Sequence, residues 1–191
     1  MGYIVLALGA AGASTPRTPA RDLAITGAVT QMVSHGLVTG ALFLLTGVLW
    51  DRAQSYDLGR YGGIAGRAPV FTKLVVVAAF ASLGLPGLSG FIAEFQIFAG
   101  VIGTGTAGTV VTGGLAILGV LITAALFLRV LHHAFLGRPG ELTPRVGDVR
   151  PYELAAVAPL LLLSVIIGIA PRWLLDLIEP VAAQIAALVA R

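Results

Sequence analysis

Apolar residues along this chain gather into long runs, and most of the charge collects in two stretches between them. After an apolar start, "MGYIVLALGAAGAS", and a polar turn, "ASTPRTPARD", a run from Ile25 to Trp50 is long enough to cross a bilayer as a helix. Trp50 closes it where an indole favours the interface. The charged, glycine-rich stretch 51–68 follows. Pro69 then opens a second apolar run, because the first turn of a helix does not use the N–H that proline lacks. That run continues to about Gly103, roughly thirty-five residues, which is too long for one straight span. Val110 to Phe135 forms the third run, 137–151 a second charged loop, and Tyr152 to Ala170 the last span, with Pro159 as a kink. Residues 171–191 mix Trp173, charges and alternating apolar positions, the pattern of an amphipathic C-terminal tail lying at the membrane surface. The pattern predicts an all-α membrane protein with four full transmembrane helices plus a partial N-terminal one, a single transmembrane helical segment over 1–191.

The start of the chain is too short to span by itself. Ala11, Gly12 and Ala13 look like a cleavage site, yet no basic residue precedes the apolar stretch, so a partial transmembrane helix is the reading and a signal peptide the weaker alternative.

The overlong second run holds the segment "GLPGLSGFIAEF", Gly84 to Phe95. Pro86 donates no backbone hydrogen bond, and Gly84, Gly87 and Gly90 permit non-helical angles, which predicts a helix discontinuous near residues 84–90. Backbone groups freed there need protein or a water-filled cavity to satisfy them. Glu94 follows within a turn of the last glycine. A carboxyl group inside a span is costly, so it faces the protein interior or water and often marks an ion or proton path. A broken helix beside an acid is the pattern of an ion-handling site; a simple proline kink would explain Pro86 but not the cluster of glycines. His35 is the second candidate, because Gln31, His35, Thr39 and Thr46 fall on one helical face and a histidine titrates in the useful range. Lys73, about one turn into its span, is a weaker member of this polar axis, with snorkelling to the interface as the plainer reading. Arg129, His132 and His133 sit near a helix end as interface anchors. The adjacent histidines point about 100° apart, which is poor geometry for ligating one haem iron.

Composition agrees with the pattern. Of 191 residues 57% are hydrophobic and 11% charged, and the mean hydropathy is +0.95, far outside the range of soluble domains. A net charge of +3 does not point to nucleic acid, because the basic residues are spread between the apolar runs. With no cysteine, the chain cannot supply thiolates to an iron–sulfur cluster, form a disulfide or use a thiol nucleophile. No metal or cofactor site is expected. Alternating spans put Arg52, Arg60, Arg67, Arg138, Arg145 and Arg150 on one side, against Arg17, Arg21, Arg172 and Arg191 on the other. The positive-inside rule then makes loops 51–68 and 137–151 cytoplasmic and puts the C-terminus on the opposite face.

The segments "QMVSHGLVTGALFLLTGVLWDR", "YGGIAGRAP", "ASLGLPGLSGFIAEF", "LRVLHHAFLG" and "GIAPRWLLD", in this order, resemble the C-terminal part of the subunit M family of bacterial respiratory complex I, subunit 4 of the mitochondrial enzyme. The related antiporter-like subunits L and N and the multisubunit sodium/proton antiporters usually carry lysine where this chain has Glu94. The resemblance implies a proton-translocating membrane subunit of NADH:quinone oxidoreductase without a redox centre of its own. Glu94 then stands at the end of the proton route, His35 is a central relay, and Gly84, Pro86, Gly87 and Gly90 form the break. Implied partners are the other membrane subunits of complex I and the lipid bilayer of the bacterial inner membrane, with quinone and NADH bound only on other subunits. A complete member has further helices, with a second broken helix, a glutamate–lysine pair and another lysine, and the present residues match none of these. A fragment, a split gene or a misplaced start codon is the expectation. Alternatives are a subunit of a multisubunit cation/proton antiporter or membrane-bound hydrogenase, and a truncated structural or inactive remnant.

Overall fold

The computed structural model describes residues 1–13 and 18–189, and among these no strand occurs. The α-helices are α1 (Gly2–Ala13), α2 (Pro19–Ala53), the single turn α3 (Ile64–Arg67), α4 (Pro69–Ser82), α5 (Ser89–Gly103), α6 (Ala107–Val130), α7 (Pro151–Ile169) and α8 (Arg172–Val189). A π-helical turn, Leu131–Phe135, extends α6.

Among the described residues three helical stretches are long and apolar enough to cross a membrane: Pro19–Ala53, Ala107–Phe135 and Pro151–Ile169. The sequence predicts four. The fourth is divided into α4 and α5, of 14 and 15 residues, each about 22 Å long against a hydrocarbon core of about 30 Å. Helix α7 runs through Pro159 as one helix.

Helix α2 begins two turns earlier than its apolar run, so part of the expected polar turn is helical. The Thr18 hydroxyl accepts from the Arg21 N–H, Pro19 occupies the first turn and Asp22 follows it, a set of start signals that outweighs the polarity of the residues. Arg21, expected as a loop charge, is 1% exposed. Among the described residues its guanidinium nitrogens have no hydrogen-bond partner. Arg17 lies outside the described residues.

Helices α2 and α5 pack antiparallel through small residues. A Cβ on Gly27 would lie 2.8 Å from the Ile97 backbone nitrogen, and one on Gly100 would lie 2.7 Å from the Ala24 Cα. Only glycine allows this approach, the usual basis of close helix packing where lipid removes the hydrophobic drive. The register runs from Gly103 against Ala20 to Ser89 against Ser34, so α4 and α5 together lie alongside the length of α2.

The break between α4 and α5 differs from its expected form. Gly84 (φ 66°) ends α4 in the left-handed region, with the Leu85 N–H donating to Phe80 O and the Gly84 N–H to Ala81 O, a Schellman motif. Leu85 to Leu88 then form a turn closed by the Leu88 N–H to Leu85 O bond, with Pro86 second and Gly87 third at φ 94°, the residue choice of a type II turn. The expectation of unsatisfied backbone at the break is therefore corrected for these donors, because local turns satisfy the Leu83, Gly84, Leu85 and Leu88 N–H groups. Gly90 lies inside α5, not in the break, where a Cβ would overlap Ala81 O.

Helix α7 holds this junction. Gly168 packs on the Gly87 backbone so closely that no Cβ fits, and buried Ser34, Ser89 and Ser164 form a hydroxyl chain with Oγ–Oγ separations of 2.7 Å. Helix α8 is amphipathic, and one apolar stripe of it packs on protein. Leu174, Ile178, Ala182 and Ala186 are buried with Ile25 of α2 and Ile167 of α7. Residues 190–191 of the expected tail lie outside the described residues.

The two charged loops meet at one end of the bundle, as their common side predicts. Arg52 bonds Glu153 at 2.6 Å and donates to Gly147 O and Asp148 O. The Thr143 hydroxyl donates to Gly62 O. Asp148 accepts from the N–H groups of Val70 and Phe71, capping the free donors that open α4. Burial pushes the Asp148 carboxyl up, but the backbone bonds from Phe71, Val70 and Val149, with Arg52 nearby, outweigh it and hold the group below its ordinary range.

The packing and the cap are each open to experiment. Gly100→Ala in the full-length chain should sharply reduce its accumulation in membranes on immunoblots, since overpacking costs about 1–3 kcal/mol; Gly114→Ala, facing open space, should accumulate normally. A carboxyl group held low by folding contributes stability above its unfolded pKa of about 3.9 and loses it as pH falls through the folded value. Hydrogen exchange at Val70 and Phe71, corrected for intrinsic rates, should lose protection only in that acid range, whereas Asp148→Ala should lose it at pH 7.

Candidate functional site

Glu94 sits in the second turn of α5, directly beside the break. A Cβ on Gly84 would overlap the Glu94 carboxyl oxygen Oε2. Gly84 is therefore required twice, by its positive φ and by the carboxyl group lying against its Cα. The Schellman turn thus shapes one wall of the carboxyl group's surroundings.

The α2–α5 register brings the polar face of α2 to this carboxyl group. Gln31, Ser34, His35, Thr39, Ser82 and Glu94 line one cavity of about 250 Å³. The Thr39 hydroxyl donates to His35 O and lies 3.0 Å from His35 Nδ1. If that hydroxyl proton stays on the carbonyl, its oxygen can accept from Nδ1–H, the tautomer that leaves Nε2 as the basic ring nitrogen. Gln31 Oε1 is buried in this cavity wall and has no hydrogen-bond partner among the described residues. A polar cavity of this size with an unpaired acceptor is suited to holding water.

A second cavity, about 520 Å³, lies on the other side of Glu94. Gly84, Phe91, Phe95, Phe98 and Gly103 line it, and it reaches the end of α5 remote from the charged loops. Glu94 is common to the linings of both cavities, so its carboxyl group is the wall between a polar chamber and an apolar one.

Of the residues singled out in the sequence, Gln31, His35, Thr39, Gly90 and Glu94 line the polar cavity and Gly84 lines the apolar one. Pro86 and Gly87 shape the turn without lining either chamber, and Pro86 is exposed. Lys73 is exposed and does not join the chamber. Thr46, on the same face of α2, lines a different cavity near the charged loops. His132 and His133, in the π-helical turn, are also exposed. Among the described residues no cluster of histidine and carboxylate side chains has the arrangement of a metal site.

Two features escape sequence reasoning. The serine chain joins positions 55 and 75 residues apart, and small hydroxyl residues in apolar helices give no periodic signal. Tyr3 of α1 lies within electrostatic range of Glu94 and stacks edge-on against Phe98 at 5.2 Å, which makes α1 part of the site's surroundings.

A hydrated polar chamber can be tested directly, because the chain contains no cysteine. In the full-length protein, Ser82→Cys should react with a small water-soluble methanethiosulfonate reagent, read by peptide mass mapping. Ala78→Cys, at a fully buried site one turn away, should stay unlabelled.

A family model described as NADH:quinone oxidoreductase/Mrp antiporter, TM, matches residues 1–123. Curated relatives include NADH-quinone oxidoreductase subunit M of Rickettsia prowazekii (strain Madrid E), 34% identical over 159 residues that make up 81% of this chain and 31% of the relative. NAD(P)H-quinone oxidoreductase chain 4 1 of Synechococcus sp. (strain JA-2-3B'a(2-13)) is 39% identical over 157 residues, 79% of this chain and 30% of the relative. The chain thus spans less than a third of these relatives' length. Among solved structures, respiratory complex I from Thermus thermophilus with bound NADH contains a chain matched with a TM-score of 0.84 at 28% identity, covering 98% of this chain and 37% of that one. The Mrp complex from Dietzia sp. DQ12-45-1b has a chain matched at 0.75 and 18% identity, covering 99% of this chain and 47% of that one, a likeness of fold alone.

Proposed function

The chain belongs to the NADH:quinone oxidoreductase/Mrp antiporter transmembrane family, and from that premise we propose that it carries protons across a bacterial inner membrane as part of an NADH:quinone oxidoreductase. The observation that carries this reading is Glu94 as the shared wall of two chambers. One is polar and holds His35; the other is apolar and runs to the end of α5.

In this reading water in the polar chamber delivers a proton to His35 at Nε2, and the proton passes to Glu94. Protonation removes the charge whose presence at membrane depth is costly. The neutral acid can then turn toward the apolar chamber and release its proton to water entering from the far end. Return of the ionised carboxyl group is favoured by the polar chamber and by positive charge on His35. Each proton moved against the potential costs about 2.3 kcal/mol per 100 mV. That work comes from electron transfer in other subunits, where NADH and quinone bind, and it reaches this chain through the neighbouring membrane subunits. The charged loops 51–68 and 137–151 lie on the cytoplasmic side by the positive-inside rule, with the C-terminus opposite. α4 and α5 together then act as one broken transmembrane element with Glu94 near its middle. The curated relatives named for quinone reduction favour this reading over cation exchange without redox partners.

In the assembled complex, Glu94→Gln should lower the rate of proton translocation by at least about tenfold, in line with loss of a positioned acid–base group, with the complex still present in the membrane. His35→Ala should lower it less severely. Acidification of inverted vesicles during NADH oxidation measures both, and wild-type pumping by Glu94→Gln would overturn the assignment.

A further inference from the structure

Loss of a proton from Glu94 on the far side leaves a negative charge in a chamber that offers it nothing polar. Apart from Glu94 itself, the side chains lining that cavity are apolar, Leu83, Phe91, Phe95, Phe98 and Val120 among them. An ionised carboxyl group is costly in such surroundings unless a donor is aimed at it. One hydroxyl borders the chamber from just outside its lining, on Tyr3 of α1.

The phenol is held there by three helices. Ile4, Ala7 and Ala10 bury α1 against α2 and α5, and Tyr3 packs alongside them. Its ring meets Phe98, part of the chamber wall, at 5.2 Å with the planes 70° apart. Its oxygen stands against α6, where a Cβ on Gly119 would come within 3.1 Å of it, and the next residue, Val120, lines the chamber. Tyr3 therefore meets the chamber wall at both α5 and α6, and it lies within electrostatic range of Glu94. The packing uses only the apolar body of the ring. The hydroxyl has no hydrogen-bond partner among the described residues, although a phenol packed among apolar groups ordinarily finds one.

We propose that the Tyr3 hydroxyl donates a hydrogen bond to the ionised Glu94 carboxyl group when that group turns into the far-end chamber, and holds it between losing one proton and returning to the polar chamber. The proposal rests on the proton-transfer role given to Glu94 above and supplies the donor that role lacks on the far side. A phenol suits the task because its O–H donates while its own proton stays in place at neutral pH. A hydrogen bond to the charged form of an acid favours that form, so Tyr3 promotes release without itself taking the proton. It is a positioning residue, acting through Glu94. The bare Gly119 gives α6 a part as well, since it leaves room for the oxygen.

The test uses the assembled complex in inverted membrane vesicles, with the amount of complex fixed by immunoblot. Tyr3→Phe keeps the ring and its contact with Phe98 and removes only the hydroxyl. It should lower the rate of acidification during NADH oxidation by about fivefold, the size of one net hydrogen bond. The second readout is labelling of Glu94 by dicyclohexylcarbodiimide, a reagent that enters the bilayer and adds to carboxyl groups in their protonated form, followed by peptide mass mapping. Without the donor Glu94 stays protonated for longer, so Tyr3→Phe should raise the labelling rate severalfold. If Tyr3→Phe fails to accumulate, Gly119→Ala gives the same two readouts from α6, because its Cβ must push the hydroxyl aside. Wild-type acidification by an assembled Tyr3→Phe complex would overturn the proposal. Slower acidification with unchanged labelling would overturn it too, since the hydroxyl would then act elsewhere than on Glu94. Full pumping by Glu94→Gln overturns the role given to Glu94 instead, and is told apart because that variant keeps Tyr3.

Discussion

The close antiparallel packing of α2 on α5 is the contact from which the site follows. It depends on the absence of side chains, since Gly27 and Gly100 admit backbone where any Cβ would collide. In lipid no water is released when apolar helices meet, so this kind of fit, with a few buried hydroxyls, supplies the association. Because it fixes register as well as distance, it determines that Glu94 shares a chamber with Gln31 and His35. A shift of one turn, about 5.4 Å, would move the carboxyl group out of that alignment.

The break in the neighbouring helix pair is a shaped joint. Its turns supply local partners for their own N–H groups, and α7 closes over it with Gly168 and Ser164. The freedom glycine provides at Gly84 and Gly87 is used to form these turns, and the space it leaves at Gly84 is filled by the carboxyl group. Membrane depth, usually hostile to irregular backbone, thus accommodates a helix end that directs an acid between two chambers. The charged loops at one end play the complementary part, because Asp148 and Arg52 tie the start of α4 and the end of α2 to the same short stretch before α7.

Much of this arrangement is legible in the sequence, for identifiable reasons. Charge and apolar runs must alternate in a membrane chain, so the helical class, the loops and the discontinuity near Gly84 all appear in one dimension. Glu94 stands out because a carboxyl group in such a run is rare, and the α2 stripe because helical periodicity gathers it. What stays hidden depends on contacts between distant positions. Ser89 and Ser164 look like tolerated small residues until the helices place their hydroxyls 2.7 Å apart. The start of α2 reads as a turn because Thr18, Pro19 and Asp22 are polar in composition, yet they act as helix-start signals in position. Arg21 reads as a loop charge for the same reason. The burial of the α8 stripe cannot be read, because an amphipathic helix looks the same whether it packs on lipid or on protein.

The serine chain also sets a schedule. Ser34, Ser89 and Ser164 belong to three helices made in order, and Ser164 follows Ser34 by roughly 130 residues, about 7 to 26 seconds of synthesis at 5–20 residues per second. During that interval the polar stripe of α2 enters the membrane before its hydroxyl network can close. The last bond of the junction arrives with α7, and the apolar side of α2 around Ile25 waits longer still, because its partners Leu174 and Ile178 belong to α8.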